Sequence, residues 1–234
     1  MPGKKLFGLL ARKPDLSRQE FQDHYRHPHG TMGMRISTLR DYVQSHQVDC
    51  DLLREPQQRF ECIAELWFDN EADLVAFRQE PTMVEYLNAD EWRFVDMKRS
   101  KHFIGEEEVL VSGPDDAVIQ DRADAHWRVK ERPVSIKLLQ FFDTKSGAGW
   151  SRAEDRELGL RLGAYRHVRC HPTAPYSLLP DREGRLPDFS GARELWWPTM
   201  TVFERAVRAN PEGWQQLIGR EGAHTLLARA ERFR

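Results

Sequence analysis

The sequence predicts an α+β fold in which one βαββαβ unit occurs twice along the chain. Apolar runs and helix signals follow each other in a fixed order, and that order begins again near the middle of the 234 residues. Both copies carry a similar strand motif, ELWF at 65–68 and ELWW at 194–197. Because a βαββαβ order is the ferredoxin-like arrangement, we expect two such repeats, at 1–112 and 134–234, with a linker at 113–133.

The first unit opens with KLFGLLARK at 5–13, an apolar run typical of a strand. Ser17 and Glu20 then have the spacing of a capping box, which starts a helix. We expect Pro28 and Gly30 to end this helix. The residues that recur at helical spacing and form its inward face are Phe21, His24, Tyr25 and Pro28 or His29.

Two strands, a helix and a last strand complete the first unit. Segment 39–48 is predicted to be extended, and the helix at 70–81 has an acidic start and buries Leu74 and Phe77. The other two strands are predicted at 59–69 and 97–113. In the extended segment, alternation places on one side Tyr42, Gln44, His46 and Val48.

The second unit repeats this order, starting with a strand at 135–145 and a helix at 150–158. Its last strand should begin close to Arg234, so we expect that strand to be short, absent or supplied otherwise. The histidine cluster is also missing from this copy. When Ser17 is aligned with Ser151, the positions of His24, Tyr25 and His29 are occupied by Leu158, Gly159 and Gly163.

A four-stranded sheet that is covered by helices on one side still has a bare face and two open edges. If the two sheets of this chain pair face to face, the bare faces are buried and the open edges are covered within one molecule. The duplication therefore predicts that the two sheets associate as an internal dimer.

Composition favours a globular protein, with 40% hydrophobic and 31% charged residues. No apolar run approaches the length needed to cross a membrane, and the start of the chain becomes charged too early for a signal peptide. We therefore expect a cytoplasmic protein without membrane contact. A net charge of -2 with interleaved signs argues against a nucleic-acid partner. The three cysteines have no zinc or disulfide spacing.

The helix FQDHYRHPHG at 21–30, together with YVQSH at 42–46 and AELWFD at 64–69, resembles the signature of the EthD family. This family lies within the dimeric α/β-barrel superfamily, and the resemblance covers roughly residues 4–111. It implies that the ferredoxin-like units pair to form a barrel with a pocket between sheet and helices. It also maps the family histidine onto His29 and the family aromatic residue onto Tyr25.

Histidine can both take and give a proton at cellular pH, since its ordinary pKa is about 6.5. We predict His29, His46 and His24 as catalytic residues, with Tyr25, Tyr42 and Gln44 binding the substrate. Two alternatives stay open, because His24 is also compatible with a hydrogen-bonded core position and His29 with a cap on the helix end.

Glu65 and Trp67 lie on one face of the ELWF strand and are further candidates for substrate binding. Packing is the alternative role for Trp67, and an edge position that reaches solvent or an arginine is the alternative for Glu65. His102 on the last strand is an additional candidate for the pocket.

These residues suit a cofactor-independent lyase or isomerase that acts on a small aromatic, polyketide-like or lactone compound. A non-catalytic binding protein and a cofactor-free monooxygenase are the alternatives. We expect no cofactor and no metal ion, although convergence of His24, His29 and His46 would allow a metal site. A small-molecule substrate is the expected partner, and a homodimer is an open option.

Overall fold

The computed structural model describes five stretches of the chain, which are 3–53, 59–111, 134–144, 150–173 and 188–234. Within them, eight antiparallel strands close into a barrel. The predicted linker at 113–133 lies outside the described residues, so the boundaries of the two units stay predictions. No helix among the described residues combines the length and the apolar character that a membrane span requires.

The first half contains four strands, and helical segments connect them. Its elements are β1 (Lys4–Leu10), α1 (Arg18–His24), a π-helical segment (Tyr25–Gly30), α2 (Thr31–Gly33), β2 (Asp41–Gln47), β3 (Cys62–Phe68), α3 (Glu71–Phe77), a second π-helical segment (Met83–Leu87), α4 (Asn88–Phe94) and β4 (Lys101–Val111). The predicted capping box at the start of α1 is present.

The second half has the same order of strands. Its elements are β5 (Val134–Asp143), α5 (Asp155–Arg161), β6 (Arg166–Pro172), β7 (Phe189–Trp197), α6 (Met200–Ala209), α7 (Pro211–Ile218) and β8 (Ala223–Arg232). The prediction that the last strand would be short, absent or supplied otherwise is wrong, because β8 has ten residues. The prediction placed the start of this strand near Arg234, but α7 already ends at Ile218 and β8 begins at Ala223, because the helical part of the second half is shorter than that of the first.

Around the barrel the strands follow the order β1-β3-β2-β8-β5-β7-β6-β4. Each half contributes a four-stranded ferredoxin-like sheet, ordered β4-β1-β3-β2 and β8-β5-β7-β6. The edge strand β2 pairs with β8, and the edge strand β4 pairs with β6. All four edges are therefore hydrogen-bonded, which removes the open edges that a single unit would expose. The predicted fold class is confirmed.

The barrel interior is packed with aromatic and aliphatic side chains. Phe7 lies edge-on to Phe141 with ring centroids 5.3 Å apart, and Phe103 packs against both rings. Four charged side chains share this interior and are completely buried, namely Lys5, Glu65, Lys137 and Glu194. We call these four residues the interior charge cluster.

The interior charge cluster alternates positive and negative groups. The ammonium group of Lys5 lies 2.9 Å from a carboxylate oxygen of Glu65 and 2.6 Å from one of Glu194. Lys137 contacts the same two carboxylates. Buried charges are tolerated only when they are paired in this way, because each ion loses its hydration. Glu107, Cys170 and Glu194 also lie close enough together to suit a metal ion. The ammonium group of Lys5 already binds the carboxylates of Glu107 and Glu194, however, and so takes the place that a cation would occupy.

The two halves cover the outer faces of their sheets differently. In the second half, large side chains fill the space between sheet and helices, among them Trp197, Phe203 and Trp214. In the first half, a small pair, Gly8 and Ala64, occupies neighbouring positions on β1 and β3. Because their side chains hardly extend from the sheet, they leave room for a cavity under the helices.

Candidate functional site

A cavity of about 290 Å³ lies between the outer face of the first sheet and its helices. Its walls are mostly apolar, with Leu6, Ile36 and Leu66 as examples, and polar groups join them. The polar residues that line the cavity are Tyr25, His29, Tyr42, Arg78, Asn88, Glu91 and His102. A mostly apolar enclosure with a few polar groups is typical of a small-molecule site.

His29 lies on the cavity wall and is held by a carboxylate. Its Nδ1 is 3.0 Å from Oδ2 of Asp90, while Nε2 of His24 is 3.0 Å from the other oxygen, Oδ1. Burial alone would raise the pKa of Asp90, but the hydrogen bonds from His29 and His24 outweigh burial and lower it. Because the ionised carboxylate can only accept, Nδ1 of His29 carries the proton and Nε2 is left as a base.

The local sequence explains how His29 reaches this position. Helix α1 ends at His24, and the chain continues as a π-helical segment in which His27 has extended backbone angles, φ -141° and ψ 124°. Pro28 follows and lacks an N–H group, so it cannot continue a regular α-helical ladder. The prediction that the helix ends at Gly30 is therefore only partly right, since α2 continues directly from that residue.

Gly30 allows the helical segment to lie directly on β2. A Cβ atom at this position would be 2.6 Å from Nε2 of Gln44 and 2.6 Å from a ring carbon of Phe233.

We expect Gly30→Ala to lower the free energy of unfolding by about 1–3 kcal/mol, because the neighbours must move apart. Urea denaturation measures this change. Gly8→Ala is the control, since its new Cβ would meet no atom closer than 3.4 Å, and an equal loss in both variants would contradict the prediction.

Tyr25 and Tyr42 line the cavity beside His29. Gln44 links them, because its side-chain amide donates to the Tyr25 carbonyl at 2.8 Å and to the Tyr42 hydroxyl at 2.7 Å. Burial raises the pKa of both phenols, that of Tyr42 to about 12. Both hydroxyls therefore stay protonated at neutral pH and can act as hydrogen-bond donors.

His46 is buried behind Tyr25 and does not line the cavity. Its Nε2 lies 3.0 Å from Oε1 of Gln44, and its Nδ1 lies 3.1 Å from the Cys62 sulfur. Burial and the nearby Arg26 lower the pKa of His46 to about 3. The imidazole is thus neutral at physiological pH, and its polar contacts go to Gln44 and Cys62 and not to the cavity.

The structure separates Glu65 and Trp67 from the other predicted site residues. Both point into the barrel, where Glu65 belongs to the interior charge cluster and Trp67 packs under the ammonium group of Lys5 at 4.0 Å. Successive residues of a strand face opposite sides of the sheet. Glu65 and Trp67 therefore cannot share the cavity with His29, which lies on the outer face.

Two acidic residues of α4, Asp90 and Glu91, were not predicted as site residues. A signal for Asp90 was present, because Leu87, Asp90 and Phe94 have helical spacing and lie on the buried face of the segment. Recognising it would have required the prediction of a helix after Pro81. His102, the additional candidate on β4, does line the cavity.

The pKa of Glu91 is raised because burial disfavours its charge, while the nearby His29 and Arg78 partly offset that effect. The part of Glu91 that remains accessible contributes to the cavity wall. The cavity thus combines a base held by Asp90, two protonated phenols and a carboxyl group whose pKa is raised by burial. This combination can remove a proton from a bound molecule and stabilise the resulting anion.

Comparison with known proteins agrees with this architecture. Residues 13–98 match the family model of the EthD domain. No curated protein matches the chain in sequence. An ethyl tert-butyl ether D (EthD) family protein from Bacillus halodurans C-125 is 24% identical over 45% of this chain and 99% of its own, with a TM-score of 0.38.

Two solved structures match over nearly the whole chain. An anthrone oxidase-like protein has a TM-score of 0.58 at 10% identity and covers 99% of this chain and 93% of its own. A chlorite dismutase-like protein has a TM-score of 0.51 at 10% identity and covers 98% of this chain and 95% of its own. At this identity the likeness concerns the fold. Residues 13–98 therefore match the EthD domain, within a chain that folds as a closed eight-stranded α/β barrel like that of the anthrone oxidase-like protein.

Proposed function

We propose that this protein is a cofactor-independent lyase or isomerase that removes a proton from a small aromatic, polyketide-like or lactone compound. The observation that carries the proposal is the hydrogen bond between Nδ1 of His29 and Asp90, which leaves the other ring nitrogen as a base on the wall of an apolar cavity. Positioned proton transfer of this kind accelerates a reaction by about 10²–10⁴-fold.

The phenols of Tyr25 and Tyr42 would stabilise the anion that forms. Removal of a proton next to a carbonyl group moves negative charge onto the carbonyl oxygen. Protonated phenols beside largely apolar walls are suitable donors to that oxygen, because hydrogen bonds are stronger where the surroundings are less polar. His24 would act indirectly, since its Nε2 contacts both oxygens of Asp90 and fixes the orientation of the carboxylate.

A cofactor-free monooxygenase is the second candidate, because its first step is the same deprotonation. The substrate anion would then react with oxygen directly, and the apolar walls of the cavity would admit oxygen as well as the substrate. The alternative of a binding protein predicts that the same cavity holds its ligand without any proton transfer.

Two probes test these proposals. Anthrone is a carbon acid, and α-angelica lactone is a β,γ-unsaturated lactone whose α-proton is acidic. We expect the wild-type protein to catalyse deuterium exchange into at least one probe in D₂O under nitrogen, measured by NMR. Oxygen uptake in air, measured with an electrode, would favour the monooxygenase, and product formation without oxygen would favour the lyase or isomerase.

The decisive variant is His29→Ala, for which we expect the exchange rate to fall by about 10²-fold or more. His27→Ala is the matched control, because this exposed histidine lies two residues away and bonds only to the Thr31 hydroxyl at 2.6 Å among the described residues. Exchange by His29→Ala at the wild-type rate would remove His29 from the proposed role. Binding of the probes without exchange by the wild-type protein would overturn catalysis in favour of the binding protein.

A further inference from the structure

The cavity contains a second group that can transfer a proton. Glu91 follows Asp90 in α4, and its side chain lines the same cavity as His29, Tyr25 and Tyr42. Glu91 interacts electrostatically with all three neighbours. Its carboxylate raises the pKa of Tyr25 and of Tyr42, and His29 lowers the pKa of Glu91. Glu91 and His29 therefore face the same enclosed volume from different segments of the chain.

The Glu91 carboxylate does not stabilise the fold through a polar contact with another described residue. Among the described residues, no side-chain hydrogen bond or ion pair of its carboxylate is present, whereas the adjacent Asp90 binds two histidines. A half-buried carboxyl group without such partners is costly to keep ionised. Burial accordingly raises the pKa of Glu91, which increases the share of its protonated form, and a protonated carboxyl group beside a substrate is a proton donor.

We propose that Glu91 is a catalytic proton donor that works together with His29, and that the reaction is the isomerisation of a β,γ-unsaturated carbonyl compound or lactone. This inference rests on the proposed function of the cavity and specifies its substrate class. The largely apolar walls suit the hydrocarbon part of such a molecule, and the polar side chains suit its carbonyl group.

The proposed step is a proton shift from the α-carbon to the γ-carbon of the substrate. Nε2 of His29 takes the α-proton, and the electron pair of the broken C–H bond is delocalised over the carbonyl oxygen and the γ-carbon. Glu91 then gives its proton to the γ-carbon, so that the double bond moves into conjugation with the carbonyl group. Proton transfer from protonated His29 to the Glu91 carboxylate restores both groups, and no oxidant or other co-reactant is consumed.

The test compares two reactions of α-angelica lactone. Exchange of its α-proton with D₂O requires only the base, whereas formation of the conjugated β-isomer requires protonation at the γ-carbon as well. We expect Glu91→Gln to reduce isomer formation by about 10²-fold and to keep α-exchange within about threefold of the wild-type rate. Because exchange requires an intact cavity, its retention also shows that the variant is folded.

Glu85→Gln is the matched control, because Glu85 is exposed on the preceding helical segment, and both of its rates should equal those of the wild type. Isomer formation by Glu91→Gln at the wild-type rate would overturn the role of Glu91 and leave the role of His29 intact. Absence of α-exchange in the wild-type protein would instead overturn the proposed function itself, so the two failures are distinguishable.

Discussion

Asp90→Asn is expected to lower the rate of proton exchange by about 10²–10⁴-fold, which is the range for losing a positioned base. Oδ2 of Asp90 lies 3.0 Å from Nδ1 of His29, and Nε2 of His24 lies 3.0 Å from Oδ1 and 3.1 Å from Oδ2. The amide of asparagine is uncharged, and its NH₂ group replaces one of the two acceptor oxygens, so it orients the rings less firmly than the carboxylate does. If its NH₂ group faces His29, Nδ1 becomes the acceptor, and Nε2 then carries the proton and no longer acts as a base.

The control for this prediction is Asp69→Asn, which removes an exposed carboxylate near Arg40 at 3.5 Å and should leave the exchange rate unchanged. The double variant His29→Ala with Asp90→Asn should be no slower than His29→Ala alone, because a base and the group that orients it act as a unit. Additive losses in the double variant would show that Asp90 acts independently of His29. An exchange rate of Asp90→Asn within threefold of wild type would also contradict the prediction.

Glu65→Ala is expected to lower the free energy of unfolding by about 3–5 kcal/mol, because it leaves a buried positive charge with fewer partners. Glu65 contacts both Lys5 and Lys137 and also accepts a hydrogen bond from Ser45 at 2.6 Å. The two ammonium groups hold the pKa of Glu65 well below its usual range, although burial alone would raise it. Urea denaturation followed by tryptophan fluorescence measures the loss.

A surface pair is the control for Glu65. Glu157 lies 3.1 Å from Arg156, but 68% of its side chain is exposed, so Glu157→Ala should lower the free energy of unfolding by less than about 1 kcal/mol.

The double variant Glu65→Leu with Lys137→Met removes one charge of each sign. We expect it to be more stable than the sum of the two single changes predicts, since neither partner is left alone. A loss in Glu65→Ala as small as that in Glu157→Ala would refute this account of the interior.

The site was only partly predictable, for a reason that β3 illustrates. Alternation predicts that Glu65 and Trp67 share one face of the strand, and they do. Alternation does not say which face meets the helices and which faces the other sheet. The contact of His24 and His29 with Asp90 could not be predicted for the same reason, because it depends on how the helical segments that carry these residues pack over the sheet.

Local signals along the chain were sufficient for the βαββαβ order and the capping box of α1, and the resemblance to the EthD signature pointed to His29. Spacing and capping act between residues that are close in sequence, so one sequence reveals them. Closure of the barrel by β8, the pairing of Asp90 with His24 and His29, and the burial of Glu65 with Lys137 depend on the tertiary structure. These contacts join residues distant in sequence, and packing selects them only when all the elements are assembled.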